Sequence, residues 1–86
     1  MASYSLEIKR SAARELEQVP LKDRRRIVTR IQALAHDPRP PGAEKLSGQE
    51  RYRIRQGDYR ILYEIEDQIL RVMVVKIGHR RDVYRT

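Results

Sequence analysis

No cysteine occurs among the 86 residues, which excludes disulfides, thiolate zinc sites and cysteine nucleophiles together and fits a cytoplasmic protein. Glycine and proline are sparse at four each, and with 40% hydrophobic and 36% charged residues the chain is neither disordered nor repetitive in composition. No apolar run approaches a membrane span, and Met1 to Arg10 alternates with charges instead of building a signal-peptide core. A soluble protein with no membrane partner is expected. Length sets the last limit: the chain makes one domain, 1–86, with about 4–13 kcal/mol of net stability and no room for a large buried cavity. Function belongs on a surface.

What is abundant is positive charge. Nineteen Lys and Arg against twelve Asp and Glu give a net +7, and an anionic partner is the first inference. Fifteen of the nineteen are Arg, the side chain whose planar fork matches phosphate and stacks on bases. A codon bias toward Arg is the alternative source of that excess. The two halves of the chain carry similar charge, so only geometry can locate a patch.

Alternation over Ser3 to Lys9 sets Tyr4, Leu6 and Ile8 on one face and predicts a strand. Ser11 is placed to cap a two-turn helix striped by Ala12, Ala13, Leu16 and Val19 and ending before Pro20. Leu21, Ile27, Val28, Ile31, Leu34 and Ala35 recur at helical spacing through a second helix that stops at Asp37-Pro38. A stiff loop rich in Pro, carrying Arg39 and Lys45, runs to about Glu50. From Arg51 the period becomes two: a strand to Arg55, a turn at Gln56-Gly57, a strand from Tyr59 to Glu66, and a central strand from Ile69 to Ile77, followed by a basic tail. The expected fold is α+β, in the order β-α-α-β-β-β, with an antiparallel-rich sheet and a helical hairpin on one face.

Register gives the second hairpin chemical content. A two-residue loop sets Arg53 opposite Arg60, and a four-residue loop sets Arg55 opposite Arg60 and Arg51 opposite Glu64. Either way Arg53, Arg55 and Arg60 gather on one face. Like charges directly opposite on a sheet destabilise by roughly 0.2–1 kcal/mol, so this face calls for a bound anion or for carboxylates. Glu64 and Glu66 are the acids able to neutralise it as a solvated ladder, but two acids cannot match four arginines one to one.

The segments R-Q-G-D-Y-R-I-L-Y (Arg55 to Tyr63) and V-V-K-I-G-H-R-R-D-V-Y-R (Val74 to Arg85) resemble the RelE branch of the RelE/ParE toxin superfamily, and length and element order agree along nearly the whole chain. The resemblance implies a RelE-like fold and the toxin of a type II toxin–antitoxin system: a ribosome-dependent endoribonuclease that cleaves mRNA in the A site and inhibits translation, without a metal or other cofactor. Its implied partners are a cognate, RelB-like antitoxin, the 70S ribosome and mRNA. Carried over by position, the family's catalytic residues fall on Arg53, Arg60, Arg80 and Tyr84, with Arg55 and His79 as further candidates. Arg51, Arg81, Arg85 and Lys45 are the cations expected to bind RNA or the ribosome. Two departures stand out. The family's best-known members carry Lys at the positions of Arg53 and Arg55, and a guanidinium does not readily transfer protons. The tail between Arg80 and Tyr84 is also shorter.

The required chemistry can be written from residue types. Cleavage by the 2′-hydroxyl needs that oxygen deprotonated, charge on the phosphate stabilised and the leaving 5′-oxygen neutralised. Arg53, Arg60 and Arg80 suit the second task. Tyr84 among arginines should have its phenol pKa lowered and is one candidate base; His79, as an imidazole in the same tail, is the other, and an outward-facing histidine is its plain alternative. Of Arg24-Arg25-Arg26 on the second helix, one should face the helix edge and two the solvent, with contact to ribosomal RNA as a second role. His36 suits a helix C-terminus. Glu64, Glu66 and Asp67 lack a further convergent ligand, so a metal-dependent nuclease is not expected. Two rival functions remain open: a ParE-like inhibitor that binds DNA gyrase without catalysis, and a catalytically inactive homologue. For any of these, the antitoxin segment should be acidic or amphipathic and partly helical, lying across the helices or the arginine face.

Overall fold

A computed structural model describes residues 3–46, 48 and 50–81. The elements are β1 (Ser5–Ile8), α1 (Arg10–Glu17), α2 (Leu21–Ala33), β2 (Glu44–Lys45), β3 (Arg51–Gln56), β4 (Tyr59–Glu66), a single 3₁₀ turn (Asp67–Ile69) and β5 (Arg71–His79). The sheet runs β1-β5-β4-β3-β2. β1 lies parallel to β5, and the other three pairings are antiparallel. The α+β class, the two helices and the antiparallel-rich sheet are as expected, with one strand more.

The additional strand is β2, inside the stretch expected to be loop. Glu44 pairs with Arg53 and Lys45 with Tyr52. Two residues carry no periodicity, so nothing in sequence marks them as a strand. Ser11 does not cap α1. Lys9 does, with extended dihedrals (φ −62°, ψ 143°) and a carbonyl that accepts the Ala13 N–H at 2.9 Å, because the chain turns from strand to helix immediately after Ile8. Beyond Ala33 the end of α2 tightens, with the N–H groups of Leu34, Ala35 and His36 each bonding three residues back. The hairpin turn is Gly57-Asp58, one residue later than expected, with Gln56 paired to Tyr59 and Gly57 at φ +59°, a conformation in which glycine is at ease. The last strand begins at Arg71. Ile69 and Leu70 belong instead to the connection, where Ile69 is 57% exposed and Leu70 is left-handed at φ 51°.

The helices cover one face of the sheet. Ala12, Val19, Ile27, Ile31 and Leu34 pack on Ile54, Ile61, Tyr63, Val72, Val74 and Ile77, all buried, and each fully buried branched side chain contributes about 1.5–3 kcal/mol. Leu21, expected in the stripe of α2, is 53% exposed at the first turn. Tyr63 is fully buried yet satisfied, its hydroxyl donating to the Pro38 carbonyl at 2.7 Å. Burial raises its phenol pKa to about 12. α1 also protects an edge. β1 pairs with β5 only from Arg71 to Val74, and just beyond, Glu15 accepts the Ile77 backbone N–H at 3.0 Å and the Lys76 ammonium at 3.1 Å.

Candidate nucleic-acid interface

The face away from the helices is the expected arginine face, and the β3–β4 register defines it. Arg51 stands opposite Glu64, Arg53 opposite Leu62 and Arg55 opposite Arg60. The pairing is that of the wider register, closed by a tighter turn. Towards the β2 end the arginines are neutralised: Arg51 Nε donates to Glu64 at 3.0 Å, and Arg53 is hydrogen-bonded to Glu44 of β2. Glu66, the other acid expected to serve this face, is taken by Arg71, which also reaches Glu7 at 3.2 Å.

At the hairpin end the balance reverses. Arg55 and Arg60 are direct cross-strand neighbours, and among the described residues neither forms an ion pair. Arg60 is half-buried and its guanidinium reaches only the carbonyl of Tyr59, at 3.3 Å. On the other side of Arg60 the partner in β5 is Gly78, which presents no side chain. Arg80 is fastened to the same end: its backbone N–H donates to the Asp58 carbonyl of the turn at 2.8 Å. The hairpin tip thus gathers Arg55, Arg60 and the backbone of Arg80 around a position without side-chain bulk. Such an arrangement offers a phosphate several guanidinium donors before it arrives.

The other expected residues fall in three places. His79 pairs with Tyr59, on the helix side of the sheet, their rings edge to face at 5.9 Å; Arg60, one residue on, projects the opposite way. The structure therefore separates His79 from the arginine pair. Lys45 is exposed on β2, 3.5 Å from Glu50, and Arg81 is exposed beyond β5, its N–H donating to His79 Nδ1 at 3.3 Å. Tyr84 and Arg85 lie outside the described residues.

Two charged arrangements escaped the sequence reading. Glu44 belongs to the site only because β2 forms, and its two-residue length gave no signal. Arg39 makes a bidentate pair with Asp67, at 2.9 and 3.2 Å, while its Nε donates to the Tyr52 hydroxyl at 3.1 Å and its guanidinium lies over the Tyr52 ring. Tyr4 donates to the same carboxylate at 2.6 Å. Hydrogen bonds from Arg39 and then Tyr4 hold the Asp67 carboxyl at about 2, and acceptance by Asp67 raises the Tyr4 phenol. Arg39 is thereby committed to joining the loop to the sheet.

Comparison with known proteins agrees with this architecture. The family described as "ParE toxin of type II toxin-antitoxin system, parDE" matches residues 6–84. Toxin RelG of Mycobacterium tuberculosis is 45% identical over 31 residues, a stretch that spans 36% of this chain and 36% of that relative. Among solved structures, the archaeal RelE–RelB complex from Pyrococcus horikoshii matches with a TM-score of 0.83 at 25% identity, over 94% of this chain and 99% of the other. A RelBE toxin–antitoxin complex from Mycobacterium tuberculosis matches at 0.82 and 24% identity, over 92% and 100%. The RelBE complex of E. coli matches at 0.78 and 24%, over 90% and 96%.

Proposed function

Because this chain belongs to the ParE toxin family of type II toxin–antitoxin systems, we propose that it is the toxin of such a pair and acts as a ribosome-dependent endonuclease on mRNA. The observation that carries the reading is the Arg55–Arg60 pair, set side by side, forming no ion pair among the described residues and next to a turn that holds Arg80. In the proposed reaction the 2′-oxygen of the substrate attacks the adjacent phosphorus, the bond to the 5′-oxygen breaks, and the products are a 2′,3′-cyclic phosphate and a 5′-hydroxyl. One proton leaves the 2′-hydroxyl and one reaches the departing 5′-oxygen. Arg60, with its cross-strand neighbour Arg55 and with Arg80, meets the charge that develops on the phosphate; Arg53, held by Glu44, is the family position that this arrangement leaves neutralised. Tyr84 is the proposed base, a role that the placement of His79 beside Tyr59 favours. Guanidinium groups supply the charge stabilisation, so the reading assigns no metal to the reaction.

The proposed partners are the ribosome, mRNA and a RelB-like antitoxin, the last supported by relatives solved as complexes with RelB. The match to a ParE family favours a second reading, inhibition of DNA gyrase by binding alone. Primer extension on mRNA from cells expressing the protein separates the two. Cuts in phase with codons, confined to translated frames, are expected of the nuclease; intact message accompanied by DNA damage would replace it with the gyrase inhibitor.

A further inference from the structure

α2 carries Lys22, Arg24, Arg25, Arg26 and Arg30 against the single acid Asp23. Arg24 is accounted for, since its guanidinium donates to the Val19 and Glu17 carbonyls that end α1. Arg25, Arg26 and Arg30 form no ion pair among the described residues. They line, with Thr29, Ala33 and Gln56, a groove of about 530 Å³ between α2 and β3.

The groove lies beside the part of β3 that β2 does not pair. β2 covers β3 only at Tyr52 and Arg53, leaving the edge open from Ile54 to Gln56. The Leu46 N–H donates to the Arg51 carbonyl across β2, so alternate residues of β3 turn their backbone groups to this edge, and Arg55 is among them. Its N–H and carbonyl therefore point to the edge beside Gln56, the β3 residue that lines the groove, while its side chain joins Arg60 on the open face. The groove and the arginine face thus adjoin through the sequence neighbours Gln56 and Arg55.

We propose that the α2–β3 groove is a second nucleic-acid contact, which holds the phosphate backbone of a duplex RNA segment whose strand continues towards the Arg55–Arg60 pair. Three features select this occupant. Arginine forks without acidic partners match phosphate oxygens. No aromatic ring lines the groove, so it lacks the rings on which successive unpaired bases stack, and its guanidinium forks suit a duplex backbone bound through its phosphates and shape. The open edge, three residues long, is too short to add a peptide strand stably, which disfavours an extended acidic segment. The choice of RNA over DNA rests on the nuclease reading; the groove itself does not.

The test is binding of the purified protein to a fluorescein-labelled RNA hairpin made with 2′-O-methyl sugars, which cannot undergo 2′-hydroxyl attack, so failure of the nuclease reading leaves the measurement intact. Arg25→Gln combined with Arg26→Gln changes two exposed side chains and should lower affinity at least tenfold at low salt. It should also flatten the plot of log affinity against log salt by about 1.4–1.8, as expected for two lost phosphate contacts. Arg30→Gln, at a half-buried position, should flatten it by about half as much, with a thermal melt confirming that it folds. Unchanged affinity and slope in the double variant would overturn the proposal. So would intact RNA binding with weakened binding of the acidic antitoxin, which would make the groove a protein interface. Equal affinity for a DNA hairpin of the same sequence would overturn the assignment to RNA.

Discussion

One face of the sheet holds the same residue type in two electrostatic states. At the β2 end Arg51 and Arg53 lie against Glu64 and Glu44, whereas at the hairpin end Arg55 and Arg60 lie against each other. The first pair behaves as a surface ladder in which each charge is largely cancelled, and exposed pairs of this kind contribute about 0–1 kcal/mol. The second keeps two positive charges adjacent, at a cost in stability that only an anion relieves. Arginine content alone therefore does not identify a phosphate site. What sets the hairpin end apart as the candidate is arginine without a carboxylate across the strand.

The contrast is tested most strongly at Arg60. Replacing it by Ala should lower cleavage on programmed ribosomes about a hundredfold or more while ribosome binding changes little, because a preorganised donor acts chiefly on the transition state. Arg51→Ala, at the neutralised end, should change the same rate severalfold at most, and equal losses at both ends would erase the distinction. Tyr84 comes next. Under the proposed mechanism Tyr84→Phe loses rate and flattens the pH profile, whereas a ring that only stacks would keep activity in Phe and lose it in Ala. Near-wild-type cleavage by both Arg60→Ala and Tyr84→Ala would remove the catalytic assignment.

A smaller effect comes from making the two ends alike. Glu44→Gln or Glu64→Gln adds one net positive charge to the β2 end and should raise RNA affinity a few-fold with a steeper salt dependence. Thermal stability should fall by no more than about 1 kcal/mol. Anisotropy titrations over a range of salt concentrations and melts of the free protein check both halves of that statement. The smallest effect concerns Arg39, an arginine whose charge is spent on structure. Asp67 titrates at about 2 when folded, below the roughly 3.9 of an unfolded aspartate. Between those values the unfolded chain binds more protons, so the contribution of Asp67 is present above about pH 4 and is lost as pH falls towards 2. Asp67→Asn should flatten that part of the acid limb of melting temperature against pH; an unaltered limb would place the acid sensitivity elsewhere.

Much of this was legible in the chain itself. Alternation from Arg51 to Glu66 gave two strands with arginines on one face, because period two leaves no other arrangement when the opposite face must be buried. It also narrowed the register to two choices, one of which holds. The turn was misplaced by one residue, since Gln56-Gly57 and Gly57-Asp58 are both acceptable turn pairs and only the pairing of Gln56 with Tyr59 chooses between them. The tail pattern likewise put His79 beside the arginines in sequence, while strand parity sends its ring to the other side of the sheet.

Sequence by itself determined the class of fold, the two helices, the strand faces and the presence of an arginine cluster, all consequences of local periodicity and charge. Tertiary structure alone decided which arginines stay unpaired. Neutralisation of Arg53 depends on Glu44, nine residues away in a two-residue strand, and Arg71, paired with Glu66 across the turn, gains a second carboxylate from Glu7, sixty-four residues away in a strand joined to it in parallel. Pairings at such separations are set by sheet order and edge coverage, which no local pattern encodes; the electrostatic character of each arginine is therefore a property of the fold rather than of its neighbours in sequence.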